Sequence, residues 1–195
     1  MAPGEMAPAT AGAVEMQLGM QVEMLRHTVA TLAYRGGKTL RGAPPDFSAF
    51  RAGEGTSQQS TGQQGAGQPG TNQPGTRQPG QILAHMCDLL DWALKLADGT
   101  HEWREKPPQL WEQDTARFFA GLEALDQRLA STAPLGVPAG KLFQGPIADA
   151  LTHTGQIAML RRMAGAPVRS ENYFKADIQA GRAGADQSPP RFEFD

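Results

Sequence analysis

Apolar positions recur at helical spacing in four separate stretches of this chain, and none shows the strict alternation of a half-buried strand. In the first stretch Leu25, Val29 and Leu32 fall at i, i+4 and i+7. They predict a helix from Val14 or Gly19 to Arg35, ended or loosened by Gly36-Gly37. His27 sits beside Tyr34 on the flank away from that stripe. The second stretch, 81–98, gathers Ile82, Met86, Leu89, Ala93 and Leu96 on one face and Asp88, Asp91, Lys95 and Asp98 on the other, with Gly99 as its stop. The third, about 109–130 after Pro107-Pro108, carries the longest stripe: Trp111, Thr115, Phe118, Leu122, Leu125 and Leu129. The fourth starts at Gly145-Pro146, a proline suited to a first helical turn, and runs to Ala164 before Gly165-Ala166-Pro167. Asp149, His153, Gln156 and Leu160 share one stripe there, which Met163 continues. Arg161 and Arg162 stand at the end where cations complement the helix dipole.

Between the helices the composition changes. Phe47 and Phe50 are expected to pin the segment 42–50 to the core. Residues 52–80 are almost free of apolar side chains and repeat Gln-Pro-Gly at 68–70, 73–75 and 78–80. Such a tract cannot bury a core, and the expectation is an inert, flexible surface loop grown by tandem duplication of a helix-leading Pro-Gly; a binding role for it is the weaker alternative. Loop-closure entropy rises only logarithmically with length, so the expansion is thermodynamically cheap. Beyond Pro167 the pattern is irregular, with Tyr173 and Phe174 as anchors. The 195 residues suit one domain. The expected organisation is a disordered segment 1–13 and a single four-helix bundle domain 14–195, which includes the loop 52–80 and an irregular tail 166–195. The fold class is all-α.

Charge and cysteine content narrow the partners. Net charge is −2 and the pI about 6.1, with no basic stripe, so neither nucleic acid nor an anionic membrane is expected. No apolar run approaches the ~18 residues of a membrane span, and Met1-Ala2-Pro3-Gly4-Glu5-Met6 does not read as a secretory signal. The single cysteine, Cys87, excludes an internal disulfide and reads as a buried, inert thiol, so the expected location is the cytoplasm.

The chemistry is concentrated in three side chains. Asp149 and His153, at i, i+4, can converge on one ion, and His85 is the histidine of another helix whose phase points inward, between Leu96 and Trp92. His27, on the outer flank, and His101, in a loop after Gly99, are poorer candidates. Two imidazoles and a carboxylate leave coordination positions open for water or substrate, the pattern of a catalytic site. The residues alone leave a second reading open. Asp149 near a helix N-terminus is favourable without a metal, and His85 and His153 would serve as core histidines bonded to backbone carbonyls.

At these residues the chain resembles the DinB-like superfamily, the four-helix DinB/YfiT fold. The carriers are the stretch from Pro79 to Trp92, with His85-Met86-Cys87-Asp88, and that from Ala150 to Arg162, in which His153-Thr154-Gly155-Gln156-Ile157 is the more specific run. The likeness spans about Leu25 to Ala164 without the 52–80 insert. It implies a bundle with one histidine from the second helix, matched by His85, and an HxxxH pair from the last, whose second member is His153. Asp149 stands where the first of that pair is usually His, which hardens the site and alters the metal it favours. The resemblance further implies a divalent metal, Zn or Ni first and Fe or Mn next, and a low-molecular-weight thiol such as bacillithiol or mycothiol. The implied activity is a thiol transferase, isomerase or hydrolase acting on a small molecule, in a homodimer. In that picture Asp88, one turn from His85, accepts the ring N–H or is a solvated face residue. Trp92 lines a pocket or sits in the core, and Gln156 completes the group. The alternative is a non-catalytic bundle, metal-binding or dimeric, with a degenerate site.

Overall fold

The computed structural model describes residues 11–52 and 77–194, and among these the protein is predominantly helical. Residues 1–10, 53–76 (with the first two Gln-Pro-Gly copies) and 195 lie outside the described residues. Helix α1 spans Ala11–Leu40, α2 Pro79–Ala97, α3 Trp111–Ala130, α4 Ala139–Leu142 and α5 Ala148–Met163. No described helix is long and apolar enough to cross a membrane. Helix α2 packs against α3, α5 and the short 3-10 turn Phe47–Ala49, so most of its surface is covered.

The predicted stripes of α1 and α3 form the core: Leu25, Val29 and Leu32 meet Phe118, Leu122, Leu125 and Leu129, all buried. Phe47 is buried and packs edge-on against Trp111 with ring centroids 5.4 Å apart, while Phe50 stacks on Phe47 at 6.3 Å. The third Gln-Pro-Gly copy begins α2. The Gln78 N–H donates to the Gln81 side-chain oxygen at 2.9 Å, and Pro79 occupies the first turn. A Cβ on Gly80 would lie 3.1 Å from the Ser48 carbonyl oxygen, so glycine lets α2 approach that turn.

Three helix boundaries differ from the pattern, and the first is the start of α1, at Ala11 rather than Val14 or Gly19, inside the segment 1–13 expected to be disordered. Gly36-Gly37 does not end α1, which continues to Leu40 and stops before Gly42, whose φ of 62° is in the left-handed region. The glycines are there for contact instead. A Cβ on Gly36 would stand 2.8 Å from Phe118 Cζ, and one on Gly37 3.0 Å from Phe119 Cζ. Each glycine costs a helix interior about 1 kcal/mol, and burying each phenylalanine returns about 2 kcal/mol. The fourth predicted helix also starts earlier. One π-helical turn, Phe143–Ile147, joins α4 to α5 and contains Pro146. Proline cannot donate and its ring would strike the carbonyl four residues back in an α-helix; the wider turn accommodates both. Met163, placed on the inner stripe by periodicity, is exposed, and the buried side of α5 is Ala150, Thr154, Ile157, Leu160 and Arg161.

The tail is better ordered than its irregular pattern suggests. Ser170–Glu171 and Glu193–Phe194 form a two-residue antiparallel ladder, which opposes Glu171 to Glu193. Lys38 of α1 sits 2.8 Å from a carboxylate oxygen of each, removing the like-charge conflict. Tyr34, expected on an outer flank, is buried beneath the tail and donates to Glu171 at 2.7 Å. Tyr173 anchors the tail edge-on against Tyr34, with centroids 6.3 Å apart, whereas Phe174 is 96% exposed and anchors nothing. Arg161 is buried, not a surface complement to a dipole. Its guanidinium donates to the carbonyls of Thr39, Arg41, Gly42 and Ala166, closing the open end of α1.

Substitution at two glycines of α1 separates contact from flexibility. Gly36→Val is expected to lower the unfolding free energy by about 2 kcal/mol through overpacking against Phe118. Gly19→Ala, which meets nothing within 4 Å, should raise it by about 0.5–1 kcal/mol. Denaturant titration reads both, and equal signs would contradict the packing account.

Candidate metal centre

Helix α2 is buried on nearly every side, so a polar side chain on it needs a partner. His85 finds one across the α2–α5 interface. Its Nε2 lies 3.6 Å from Asp149 Oδ2, and His153 Nε2 lies 3.3 Å from Asp149 Oδ1. The imidazoles of His85 and His153 face each other at 4.9 Å between centroids and 87° between planes. One donor atom from each of the three residues falls within 4.8 Å of the other two. For ligands at ~2.1 Å from a tetrahedral ion, donors stand about 3.4 Å apart. The two carboxylate–imidazole distances, one from each carboxylate oxygen, are close to that value, and the three donors lie within 4.8 Å of one another. The histidine side chains are 17% and 11% exposed and Asp149 46%, so the cluster opens to solvent on the Asp149 side.

The surroundings favour the neutral, ligating form of His85. The His85 pKa is lowered from 6.5, first by burial and then by the charges of Arg77 and His153, against an opposing pull from Asp149. His153 Nδ1 lies 2.8 Å from Gln156 Oε1. An acceptor there holds the proton on Nδ1 and leaves the Nε2 lone pair facing Asp149, as metal-binding histidines require. Among the described residues neither imidazole is bonded to a backbone carbonyl. Nor does Asp149 stand at an exposed helix N-terminus, since α5 continues upstream through the π turn to Ala139. Two supports of the metal-free reading are therefore absent. The donor set of two nitrogens and one oxygen fits a borderline divalent cation and fills three coordination positions.

The remaining predicted residues divide. Gln156 is at the cluster. Trp92 lines a cleft of about 390 Å³ with Leu89, Gln144, Gly145, Ala148, Asp149 and Thr152, so it borders the site. Asp88 borders only the small cleft beside His85: it is 3% exposed and accepts from Arg117 and from the Lys106 backbone N–H at 3.0 Å, and no bond joins it to His85. Periodicity put Asp88 on a solvated face because it cannot see the arginine that α3 brings there. Arg117 also bonds Asp91, at 2.7 Å. Cys87 is buried and donates to the Asp114 carbonyl at 3.2 Å; burial raises its pKa to about 12, which makes it the inert thiol expected.

No family model, curated protein or solved structure matches the chain. The centre's own geometry also supplies residues that the pattern did not. Trp103 lies edge-on to His85 at 5.6 Å and to Trp92 at 5.7 Å, and His101 tilts over Trp92 at 5.8 Å. These side chains come from the coil between α2 and α3, where no periodicity exists to read. The aromatic content of His101-Glu102-Trp103 was the available signal. Arg77 lines a cleft of about 660 Å³ on the His153 side and a smaller one of about 190 Å³ on the His85 side.

Two measurements test this centre. His85→Ala or His153→Ala should weaken Zn(II) or Ni(II) binding at least ~100-fold by titration calorimetry, and Gln156→Leu by roughly 10-fold, in line with loss of an outer hydrogen bond. Because a bound imidazole must be unprotonated, affinity should fall as pH drops through the lowered His85 pKa, below the ordinary imidazole range. The lowered His85 pKa also has a sign for the metal-free protein. The unfolded chain takes up that proton first, so His85 contributes stability above about pH 6.5 that is lost as pH falls through its lower folded value. Separately, Arg117→Leu strands the buried Asp88 carboxylate and is expected to cost about 3 kcal/mol. A cost below about 1 kcal/mol would mean that Asp88 is solvated after all.

Proposed function

We propose that the protein is a metal-dependent enzyme of the DinB-like type, a thiol transferase or hydrolase acting on a small molecule. The observation that carries this reading is the convergence of His85, Asp149 and His153 across two helices, beside clefts large enough for a small ligand. The helical architecture and the order of the ligands, one from α2 and two from α5, accord with that family's arrangement. A Zn or Ni ion held there, with Fe or Mn as the alternatives, would supply Lewis acidity and lower the pKa of a bound thiol or water. The chain's own groups do the rest. His85 and His153 bind as neutral donors, and Gln156 fixes the His153 tautomer. Asp149 lowers the net charge of the centre, and Trp92 and Trp103 wall one side against water. With Cys87 buried and bonded, the nucleophilic sulfur of a transfer reaction comes from a separate small thiol. The reducing cytoplasm is the compartment this chemistry suits.

A second reading, a dimeric or partner-binding bundle, has one observation in its favour. Val14, Met16, Leu18, Met20 and Met24 are exposed on the first half of α1, beside an apolar groove of about 470 Å³ bordered by Ala139, Gly140 and Phe143. Of these, Met20 and Met24 line the groove itself, and an exposed apolar groove is a common mark of an interface.

The two readings part on one experiment. Metal-loaded protein should accelerate the consumption of a low-molecular-weight thiol in the presence of an alkyl halide or epoxide, and chelation or His85→Ala plus His153→Ala should abolish the acceleration. A rate indifferent to both treatments would sink the enzymatic reading and leave the interaction module.

A further inference from the structure

The cleft along α5 has an uneven lining. Ile82, Met159 and Leu160 make its apolar wall, Thr152, Gln156 and His153 its polar one, and Arg77 is the one charged residue among the described residues that border it. The Arg77 guanidinium has no hydrogen bond or ion pair among the described residues, although it also borders the smaller cleft beside His85 and its charge is felt there. A second positive charge beside a centre built to hold a dication raises the local potential, and among the described residues it serves no structural pairing. With a divalent ion bound, the two neutral imidazoles and one carboxylate leave a net charge of about +1, and Arg77 adds to it. Such a site is complementary to an anion.

We infer that Arg77 is the clamp for a carboxylate-bearing ligand that lies along this cleft with its metal-seeking end at the His85/Asp149/His153 centre. The class of anion follows from the donors. A planar guanidinium pairs in fork geometry with one carboxylate. A phosphate dianion calls for more donors than this cleft offers, since it runs along the middle of α5, where backbone amides are already used within the helix. Ile82, Met159 and Leu160 border the same cleft as Arg77 and His153, so a ligand that reaches both suits a hydrocarbon midsection. Arg77 is thus a specificity residue for the proposed function, and the inference rests on the metal reading of the site.

The test uses Co(II)-loaded full-length protein and two probe series. These are ω-mercaptocarboxylates of increasing chain length and the ω-mercaptoalcohols that match them without the charge. Binding is read from the thiolate-to-cobalt charge-transfer band. At the best chain length the carboxylate probe should bind wild type about tenfold tighter than the alcohol. Arg77→Gln should erase that preference while binding Co(II) no more weakly and the alcohol equally well. Retention of the preference in Arg77→Gln, or its absence from wild type at every chain length, overturns the role of Arg77 and leaves the metal centre standing. Failure of wild type to bind Co(II) overturns both together.

Discussion

The near-complete burial of α2 is the constraint on which the rest of this structure turns. On the faces that α3, α5 and the Phe47–Ala49 turn cover, little water reaches a polar side chain, and a group there gains from a protein or ligand partner. Asp88 is met by Arg117 and by the backbone of Lys106, and Cys87 by the carbonyl of Asp114. His85 is met by Asp149 at a distance long for a hydrogen bond. The first two bind α2 to α3 and to the coil that leads into it. The third faces α5, and it is the loose one. Strong, short interactions along most of the helix hold it in register, so that the unsaturated group appears at one defined place.

That place is further defined by the π turn in the last helix. Every residue after a widened turn is rotated relative to a continuous α-helix, and the inner face of α5 is rotated with it. Ala150, Thr154 and Ile157 turn into the core, while Asp149, His153 and Gln156 come to the seam with α2. π turns recur at functional sites because they set side-chain direction without altering the helix axis much, and Pro146 enforces this one.

How much of this could be read beforehand follows from what periodicity measures. It reports how a helix's own residues face, so the stripe from Trp111 to Leu129 and the inward phase of His85 were legible. It does not report what arrives from elsewhere. Asp88 looked solvated because Arg117 is on another helix, and Tyr34 because the tail that covers it has no regular pattern. Gly36 and Gly37 looked like a stop because glycine signals both an end and a close approach, and only the facing Phe118 and Phe119 tell the two apart. The candidate ligands were found by phase and spacing, whereas Trp103 and Arg77 sit in coil, where neither exists.

The start of α2 holds a consequence for the length of the preceding loop. Gln78 begins the helix through Gln81, proline sets its first turn, and Gly80 slips past Ser48. The two earlier copies of Gln-Pro-Gly stand at a constant five-residue interval. Gain or loss of a whole unit therefore returns the same three residues to the same junction. A change of loop length by whole units would leave the helix carrying His85 with the same first turn and the same phase.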